Sequence, residues 1–282
     1  MNRPLGRVRR LVVKIGTGVL TDSKGRFDAV HFSRLTADLA DAARNRELVV
    51  VSSGAVALGV ERLELKSRPK DIPGKQAAAA VGQSLLMHRY EGALGPAGFR
   101  TAQILLTHDD LANRKRYLNA RRALERLLEQ KVVPIINEND TVAVDELKFG
   151  DNDTLAGLVV GLLGAELLVI LSDVDGLYTA DPRVDASAKK LDEVQKVNAE
   201  IERLAGGSIS GVGTGGMFTK IRAAKRASQA GCPTVIAPGK RMGALAQVLA
   251  GEPLGTWFHA EAAPLTGRKR WMAHAMKPKG EL

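Results

Sequence analysis

The sequence has few of the residues that build disulfide frameworks, zinc sites or base-stacking surfaces. Its 282 residues include one cysteine, Cys232, which excludes an internal disulfide and a cysteine-rich zinc site. Aromatic residues make up 4% of the chain, so stacking of nucleic-acid bases on its surface is not favoured. Apolar runs stay below the roughly 18 residues that a membrane span needs, so none is predicted. We therefore expect a protein of the reducing cytoplasm.

Positive charge exceeds negative charge by 10, and basic residues cluster at residues 3–10, 113–126 and 268–270. Such an excess is typical of proteins that bind nucleic acid or anionic substrates. A solvated helix face with basic ends accounts for the same pattern. Because aromatic residues are not interleaved with the arginines, we favour this second interpretation, and nucleic acid is not the predicted partner.

Short β-branched apolar runs alternate with longer helical patterns. Strands are predicted at 10–16, 101–107, 132–137, 167–172 and 233–238, helices at 27–47, 73–94, 113–130, 153–164 and 217–230, a strand running through a glycine turn into a helix at 48–59, and a hairpin at 141–150. This order predicts an α/β fold whose mostly parallel sheet is covered by helices on both faces. Ligands of such sheets collect at the carboxyl ends of the strands.

The stretch SGVGTGGMFTK, residues 210–220, places four glycines within six residues. It lacks the preceding strand and the later acid of a dinucleotide-binding fingerprint, and Lys220 follows Thr219 rather than the glycine of a Walker A loop. The stretch opens a predicted helix, whose free amides and dipole favour an anion, and Lys220 adds a positive charge there. A flexible surface loop is the alternative.

Lys14 interrupts the apolar strand VVKIG, where a lysine is costly unless it is paired or used. Gly16 and Gly18 follow it, so backbone amides can face a phosphate beside the lysine. The alternative is a lysine that extends along the sheet end to reach solvent. Ser52 and Ser53 precede another predicted helix and can cap it or bind a ligand.

The most polar region is NENDTVAVDELKFGDNDT, residues 137–154. It lacks the ligand spacing of a calcium site. Its acids and amides suit the ammonium of an amino-acid substrate and the ordering of catalytic lysines, although helix capping alone explains them too. Ser172 and Asp173 end a further strand, where the sugar or base of a nucleotide could rest; a plain turn is the alternative.

Five junctions occur in one order along the chain and together resemble the amino-acid kinase family: VVKIGTGVL, SSGAVALG, INENDTVA, FGDNDTLAG and GVGTGGMFTK. The resemblance extends over residues 10–272. It implies a single domain, residues 1–282, built as a three-layer αβα sandwich around a sheet of about eight strands. It places the phosphoryl acceptor in a lobe of residues 1–165 and ATP, with Mg²⁺, in a lobe of residues 166–282.

The match is closer still to the members that use ATP to phosphorylate the side-chain carboxylate of L-glutamate, the first step of proline biosynthesis. The resemblance then implies that Lys14, Lys220 and Asp153 are catalytic, with Asp153 orienting the two lysines. Residues implied to bind glutamate are Ser53, Gly54, Asp140 and Asn152, and those implied to bind ATP are Lys14, Ser172, Asp173, Thr214, Gly215, Gly216, Met217, Phe218, Thr219 and Lys220.

The chemistry follows from the charge of the acceptor. The side-chain carboxylate of glutamate has a free pKa of about 4.3 and is ionised at neutral pH, so it needs no general base. Catalysis is then expected to rest on positioning and on neutralising charge. We expect the two lysines to neutralise the phosphoryl group, assisted by the amides of Gly16, Gly54 and Gly215–Gly216.

Several further expectations accompany the resemblance. It implies a homo-oligomer and feedback inhibition by proline, and the lability of an acyl phosphate suggests hand-off to glutamate-5-phosphate reductase. Many members carry a C-terminal PUA domain, and this sequence ends where that domain would begin. Kinases of aspartate, N-acetylglutamate, carbamate or UMP remain alternatives, as does a non-catalytic RNA-binding or regulatory protein on this fold. Asp140 favours an acceptor with a free ammonium.

Overall fold

The computed structural model describes residues 5–143, 152–206, 216–262 and 271, and it is built around a sheet of eight strands. The strands of the described residues are β1 (Arg10–Ile15), β2 (Glu47–Ser52), β3 (Arg100–Leu106), β4 (Val132–Glu138), β5 (Leu167–Ser172), β6 (Leu177–Tyr178), β7 (Lys190–Leu191), β8 (Glu193–Val194), β9 (Thr234–Pro238) and β10 (Thr256–Phe258). β6 and β7 pair with each other outside the main sheet.

Helices connect the strands and cover both faces of the sheet. In the described residues they are α1 (Thr17–Leu20), α2 (Ala29–Arg44), α3 (Ala55–Arg62), α4 (Ile72–Leu94), α5 (His108–Ala112), α6 (Arg114–Glu129), α7 (Asn152–Leu163), α8 (Ala199–Gly206), α9 (Met217–Gln229) and α10 (Ala244–Leu249). None of these helices has the length and hydrophobicity that a bilayer crossing requires.

The order of the main sheet is β3-β4-β2-β1-β5-β9-β10-β8. Neighbouring strands are parallel except β9 and β10, which pair antiparallel. β1 lies between β2 on one side and β5 on the other, so the chain order reverses at β1. Open α/β sheets bind their ligands at such a switch point, beyond the carboxyl ends of the strands.

The alternation of side chains along β1 shows how the two cores form. Leu11, Val13 and Ile15 enter the core shared with α2, α3, α4 and α10. Val12 faces the opposite core, which α5 to α9 cover, and Lys14 shares its face because side chains alternate along a strand. Helices therefore cover both faces, and the predicted three-layer αβα sandwich with a mostly parallel sheet is confirmed.

The long elements lie where the sequence predicted them, and the short ones were missed. β8 and β10 have two and three residues, too few to show a periodicity. The predicted helix at 27–47 is shorter in the structure, since α2 ends at Arg44. Most of the hairpin predicted at 141–150 lies outside the described residues.

Two glycines bring α3 and α4 into contact at their backbones. A Cβ added to Gly59 would lie 1.7 Å from the carbonyl oxygen of Ala78, and one added to Gly82 would lie 1.7 Å from that of Ala55. Only glycine permits this approach, because any side chain would overlap a backbone atom of the facing helix. The contact holds α4 against the helix that begins at the end of β2.

Gly82→Ala is therefore expected to lower the free energy of unfolding by about 3 kcal/mol or more, because the methyl group displaces α3. Gly92→Ala is the matched control on the same helix, since a Cβ there meets nothing within 4 Å. This control should leave stability unchanged or raise it by up to about 1 kcal/mol. Urea unfolding of both variants measures the difference, and equal stabilities would contradict the close packing.

Candidate active site

The predicted site residues gather at the carboxyl edge of the sheet. β1 and β2 end there, and α1, α3 and α9 begin beyond glycine N-caps at Gly16, Gly54 and Gly216. No side chain among the described residues caps these three starts. Their first amides can therefore meet a ligand, and a helix start favours an anion. The backbone amide of Gly16, which was expected to assist at the phosphoryl group, instead donates to the carbonyl oxygen of Leu171.

The centre of the site is a cluster of three buried charges. The two ammonium groups of Lys14 and Lys220 flank the carboxylate of Asp153. Lys14 Nζ pairs with Asp153 Oδ1, and Lys220 Nζ lies 3.1 Å from Asp153 Oδ2. The relative exposures are 3% for Lys14, 4% for Lys220 and 0% for Asp153. The three residues predicted to be catalytic thus lie together, and the cluster carries a net charge of +1.

Two helices bring this cluster together. Asp153 is in the first turn of α7 and Lys220 in the first turn of α9. One turn further on, a Cβ at Gly157 would lie 3.1 Å from the carbonyl oxygen of Ala223, so the helices touch there. The hydroxyl of Thr219 lies 3.0 Å from Asp153 Oδ2 and 2.7 Å from the carbonyl oxygen of Gly216, so the two acceptors compete for its one hydrogen.

The pKa of Asp153 reflects opposing influences. Burial alone would raise it, but the charges of Lys14 and Lys220 and their hydrogen bonds outweigh burial and lower the pKa from 3.8 to about 2. Asp153 is therefore ionised at neutral pH. It orients both lysines and leaves one of their two positive charges for an incoming anion.

A second group of side chains lies beside the cluster, at the ends of β2 and β4 and the start of α7. Asn152, the first residue of α7, donates through Nδ2 to Ser53 Oγ and to Asn137 Oδ1, each at 2.9 Å. Asn137 Nδ2 donates in turn to Gln83 Oε1 at 2.8 Å. The structure thus brings together the predicted pair Ser53 and Asn152. Gln83 was missed by the sequence analysis, although a polar residue inside the apolar stretch of α4 is a signal for it.

Two other predicted acceptor residues lie at the same edge. Gly54 has a φ of 108°, a left-handed conformation that favours glycine at the turn from β2 into α3. Asp140 follows the end of β4 and is partly buried. Burial raises the pKa of Asp140, while the charge of Arg68 acts in the opposite direction. A positive group on the ligand would stabilise this carboxylate further.

The predicted nucleotide residues lie beyond β5 and at the start of α9. Ser172 is buried at the end of β5 and donates to Asp173 Oδ1 at 3.0 Å. A Cβ at Gly18 would lie 3.2 Å from Asp173 Oδ2, so this acid borders the turn after β1. Gly216, Met217, Phe218 and Thr219 form the first turn of α9 and its cap. Thr214 and Gly215 lie outside the described residues.

The described residues hold no group of three or more histidine, cysteine, aspartate or glutamate side chains that could bind a metal ion. Mg²⁺ in phosphoryl-transfer sites usually keeps several waters and uses one or two carboxylates together with substrate phosphates. Asp173 is an exposed carboxylate at this edge of the sheet, whereas Asp153 is already paired with two lysines. The residues present therefore fit a metal ion that is held mainly by a bound nucleotide.

Asp153→Asn is expected to lower the free energy of unfolding at pH 7 by about 3–5 kcal/mol, because two buried ammonium groups lose their counter-charge. The wild-type contribution is present above the ordinary pKa of 3.8 and is lost as the pH falls towards about 2. Wild type and variant should therefore converge between pH 4 and pH 2. Urea unfolding at pH 7 and pH 3 measures this, with the exposed Asp41→Asn as control. Equal stability of Asp153→Asn and wild type at pH 7 would contradict it.

Comparison with curated proteins finds relatives that align with nearly the whole chain. Glutamate 5-kinase of Myxococcus xanthus is 59% identical, covering 99% of this chain and 74% of that protein. The glutamate 5-kinases of Anaeromyxobacter dehalogenans and Geobacter sulfurreducens are 54% and 50% identical, covering 98% and 99% of this chain and 73% and 75% of those proteins. These findings do not favour an aspartate kinase or an RNA-binding protein.

Solved structures share the fold at low sequence identity. A carbamate kinase from Giardia lamblia, bound to AMP-PNP, has a TM-score of 0.65 at 15% identity, covering 90% of this chain and 99% of that chain. A UMP kinase from Ureaplasma parvum has a TM-score of 0.61 at 13% identity, with the same coverage of 90% and 99%. At these identities the likeness concerns the fold.

The family that the five junctions resemble is matched directly. Residues 9–238 match the sequence profile described as the amino acid kinase family. This range contains Lys14, Asp153 and Lys220, and it contains the whole of β1 to β5, whose ends build the site. The chain belongs to the amino acid kinase family.

Proposed function

We propose that this protein transfers the γ-phosphoryl group of ATP to the side-chain carboxylate of L-glutamate, giving L-glutamyl 5-phosphate and ADP. The observation that carries the proposal is the pair of buried lysines, Lys14 and Lys220, held on one carboxylate where the two halves of the sheet meet. Relatives named glutamate 5-kinase, at 50–59% identity over 98–99% of this chain, support it. The product would serve proline biosynthesis.

The position of β1 supports separate binding sites for the two substrates, one in each half of the chain. β2, β3 and β4 lie on one side of β1, and β5, β9, β10 and β8 lie on the other. Glutamate would bind beside the first group, within residues 1–165, and ATP beside the second, within residues 166–282. Lys14, on β1 itself, lies at the boundary, where the phosphoryl group has to pass.

The reaction is a single displacement at phosphorus. A side-chain oxygen of glutamate forms a bond to the γ-phosphorus, the bond from that phosphorus to the bridging oxygen breaks, and ADP leaves with the electron pair. The attacking carboxylate is already ionised, so no proton is removed. The barrier comes from bringing two anions together, and the ammonium groups of Lys14 and Lys220 reduce it.

The nucleotide would lie across the start of α9. The first amides of this helix and its dipole suit the ATP phosphates, and Thr219 and Lys220 lie in the same turn. Ser172 and Asp173 would contact the nucleotide from the end of β5. Mg²⁺ bound with ATP would neutralise charge on the β- and γ-phosphate oxygens.

Glutamate would be held by opposite charges at its two ends. Its ammonium would pair with Asp140, while its side-chain carboxylate points towards Lys14. The hydroxyl of Ser53 accepts from Asn152, so its own hydrogen is left to donate to a carboxylate of the substrate. The amides at the start of α3, after Gly54, lie at the same edge.

Trapping the product tests the proposal directly. The protein is incubated with Mg-ATP, hydroxylamine and one acceptor at a time: glutamate, aspartate, N-acetylglutamate, carbamate or UMP. Hydroxamate formed with glutamate, and little with the other carboxylic acids, is the expected result. A folded protein that binds ATP but forms no hydroxamate would contradict the proposal. ADP release with carbamate or UMP alone would instead assign another acceptor.

Lys220→Ala is expected to lower kcat by about 100-fold or more, because the transition state loses one preorganised positive charge. The fold should survive, because Asp153 still pairs with Lys14. The control is Lys225→Ala on the same helix, whose ammonium pairs with Glu202 on α8. Steady-state kinetics with thermal unfolding separate the two variants. A kcat of Lys220→Ala close to that of wild type would remove Lys220 from the mechanism.

Asp140→Asn is expected to raise the KM for glutamate by about 10-fold or more, because the ammonium loses its charged partner, with little change in the KM for ATP. The wild-type KM for glutamate should rise as the pH falls through the raised pKa of Asp140, since protonation removes the negative charge. The variant should lack this rise. Kinetics from pH 4 to pH 8 measure both effects, with Glu61→Gln on α3 as control; identical pH profiles would refute the assignment.

Three expectations about partners complete the proposal. An acyl phosphate is labile in water, which favours direct hand-off to glutamate-5-phosphate reductase. Inhibition by proline and assembly into a homo-oligomer also belong to it. Product yield with and without the reductase, activity with added proline, and light scattering measure them in turn.

A further inference from the structure

A chain of side-chain amides runs from the acceptor side of the site to the protein surface. It starts at Asn152, continues through Asn137 to Gln83, and ends at the exposed Gln103 on β3, which accepts from Gln83 Nε2 at 3.1 Å. Asn137 is 3% exposed and Gln83 is 9% exposed. In this series of hydrogen bonds, the NH₂ group of each carboxamide donates to the carboxamide oxygen of the next residue. The carboxamides of Asn152, Asn137 and Gln83 therefore share one direction.

A backbone group sets the direction of this chain. The amide of Glu138 donates to Asn137 Oδ1 at 2.9 Å. A backbone N–H can only donate, so the oxygen of Asn137 must face it, and the Nδ2 of Asn137 must face Gln83. Gln83 must then present its oxygen to Asn137. Reversing the carboxamide of Asn137 would place two donors against each other at Glu138.

The same constraint decides which end of Asn152 is left for a ligand. Asn152 must present its Nδ2 to Asn137 Oδ1, and that group also donates to Ser53 Oγ. Its Oδ1 therefore points away from this network. This oxygen is buried and accepts no hydrogen bond from the described residues. A buried acceptor without a donor is destabilising, so a ligand that supplies the donor gains affinity.

The chemistry of glutamate identifies that donor. At neutral pH both carboxylates of glutamate can only accept hydrogen bonds, and its ammonium is its one donor group. We propose that Gln83 is a positioning residue: by accepting from Asn137 Nδ2 it anchors the carboxamide whose direction the Glu138 N–H sets, and so keeps Asn152 Oδ1 towards the ammonium of the acceptor. The inference rests on the proposed function. Asn152 Oδ1 would accept a hydrogen bond from the ammonium. Because Asn152 Nδ2 donates to Ser53 Oγ, the hydroxyl hydrogen of Ser53 stays free to donate to a carboxylate of the substrate.

The test compares Gln83→Met with wild type, because methionine keeps the volume of glutamine but cannot accept from Asn137. We expect the KM for glutamate to rise by about 10-fold or more, and the KM for ATP to change by less than about 3-fold. The inhibition constant of glutarate, which has both carboxylates but no ammonium, should also change by less than about 3-fold. A purely structural defect would weaken glutamate and glutarate together.

Gln83→Glu is the rescue variant. Its carboxylate still accepts from Asn137, and the exposed Gln103 can turn its own amide to donate to it. We expect the KM for glutamate to return to within about 3-fold of wild type. Ser84→Ala, at the next position of α4, is the control, because the exposed Ser84 hydroxyl donates within its own helix, to the carbonyl of Val81.

The outcomes separate this inference from the proposed function. Turnover of glutamate by the wild-type protein tests the function alone. With that established, equal weakening of glutamate and glutarate in Gln83→Met, or wild-type constants in that variant, overturns the role of Gln83. If Gln83→Met does not fold, the KM for glutamate of Gln103→Met is measured instead. An increase of 10-fold in its KM for glutamate would show that the direction is set from the surface and overturn the inference; wild-type constants would support it.

Discussion

The buried ion cluster of Lys14, Asp153 and Lys220 is the interaction on which the rest of the site depends. Two ammonium groups cannot remain charged in the interior without a counter-charge, and one carboxylate supplies it for both. The remaining positive charge is buried, where a charge acts more strongly on an anion than it does in water. If the proposed function holds, stability and catalysis would depend on the same three side chains.

The scaffold serves this cluster by close backbone contacts. α7 touches α9 at Gly157, which brings the acid to the second lysine, and α3 touches α4 at Gly59 and Gly82, which places Gln83 beside the end of β4. These contacts are made where side chains are missing. They join backbone atoms rather than flexible side-chain ends.

Hydrogen-bond direction complements the charges. Under the proposed function, the charged cluster would act on the phosphoryl group and the amide series from Asn152 to Gln83 would contact the acceptor. A charge attracts any ion of opposite sign, whereas an oriented amide offers either a donor or an acceptor. An amino acid can thus be distinguished from a simple dicarboxylate of the same length. The unchanging donor in this chain is the backbone N–H of Glu138, which no side-chain rotation can reverse.

The long strands and helices, the class of sheet and the family could be predicted from the sequence, because apolar periodicity and short motifs are written in local stretches of the chain. The sequence also singled out Lys14, because a lysine inside an apolar strand requires a partner. That this partner is Asp153, more than a hundred residues away, and that Gln83 reaches Asn137 becomes visible in the folded molecule. The short strands β8 and β10 and the bonds of Gln83 depend on elements that meet only after folding, so no local pattern records them.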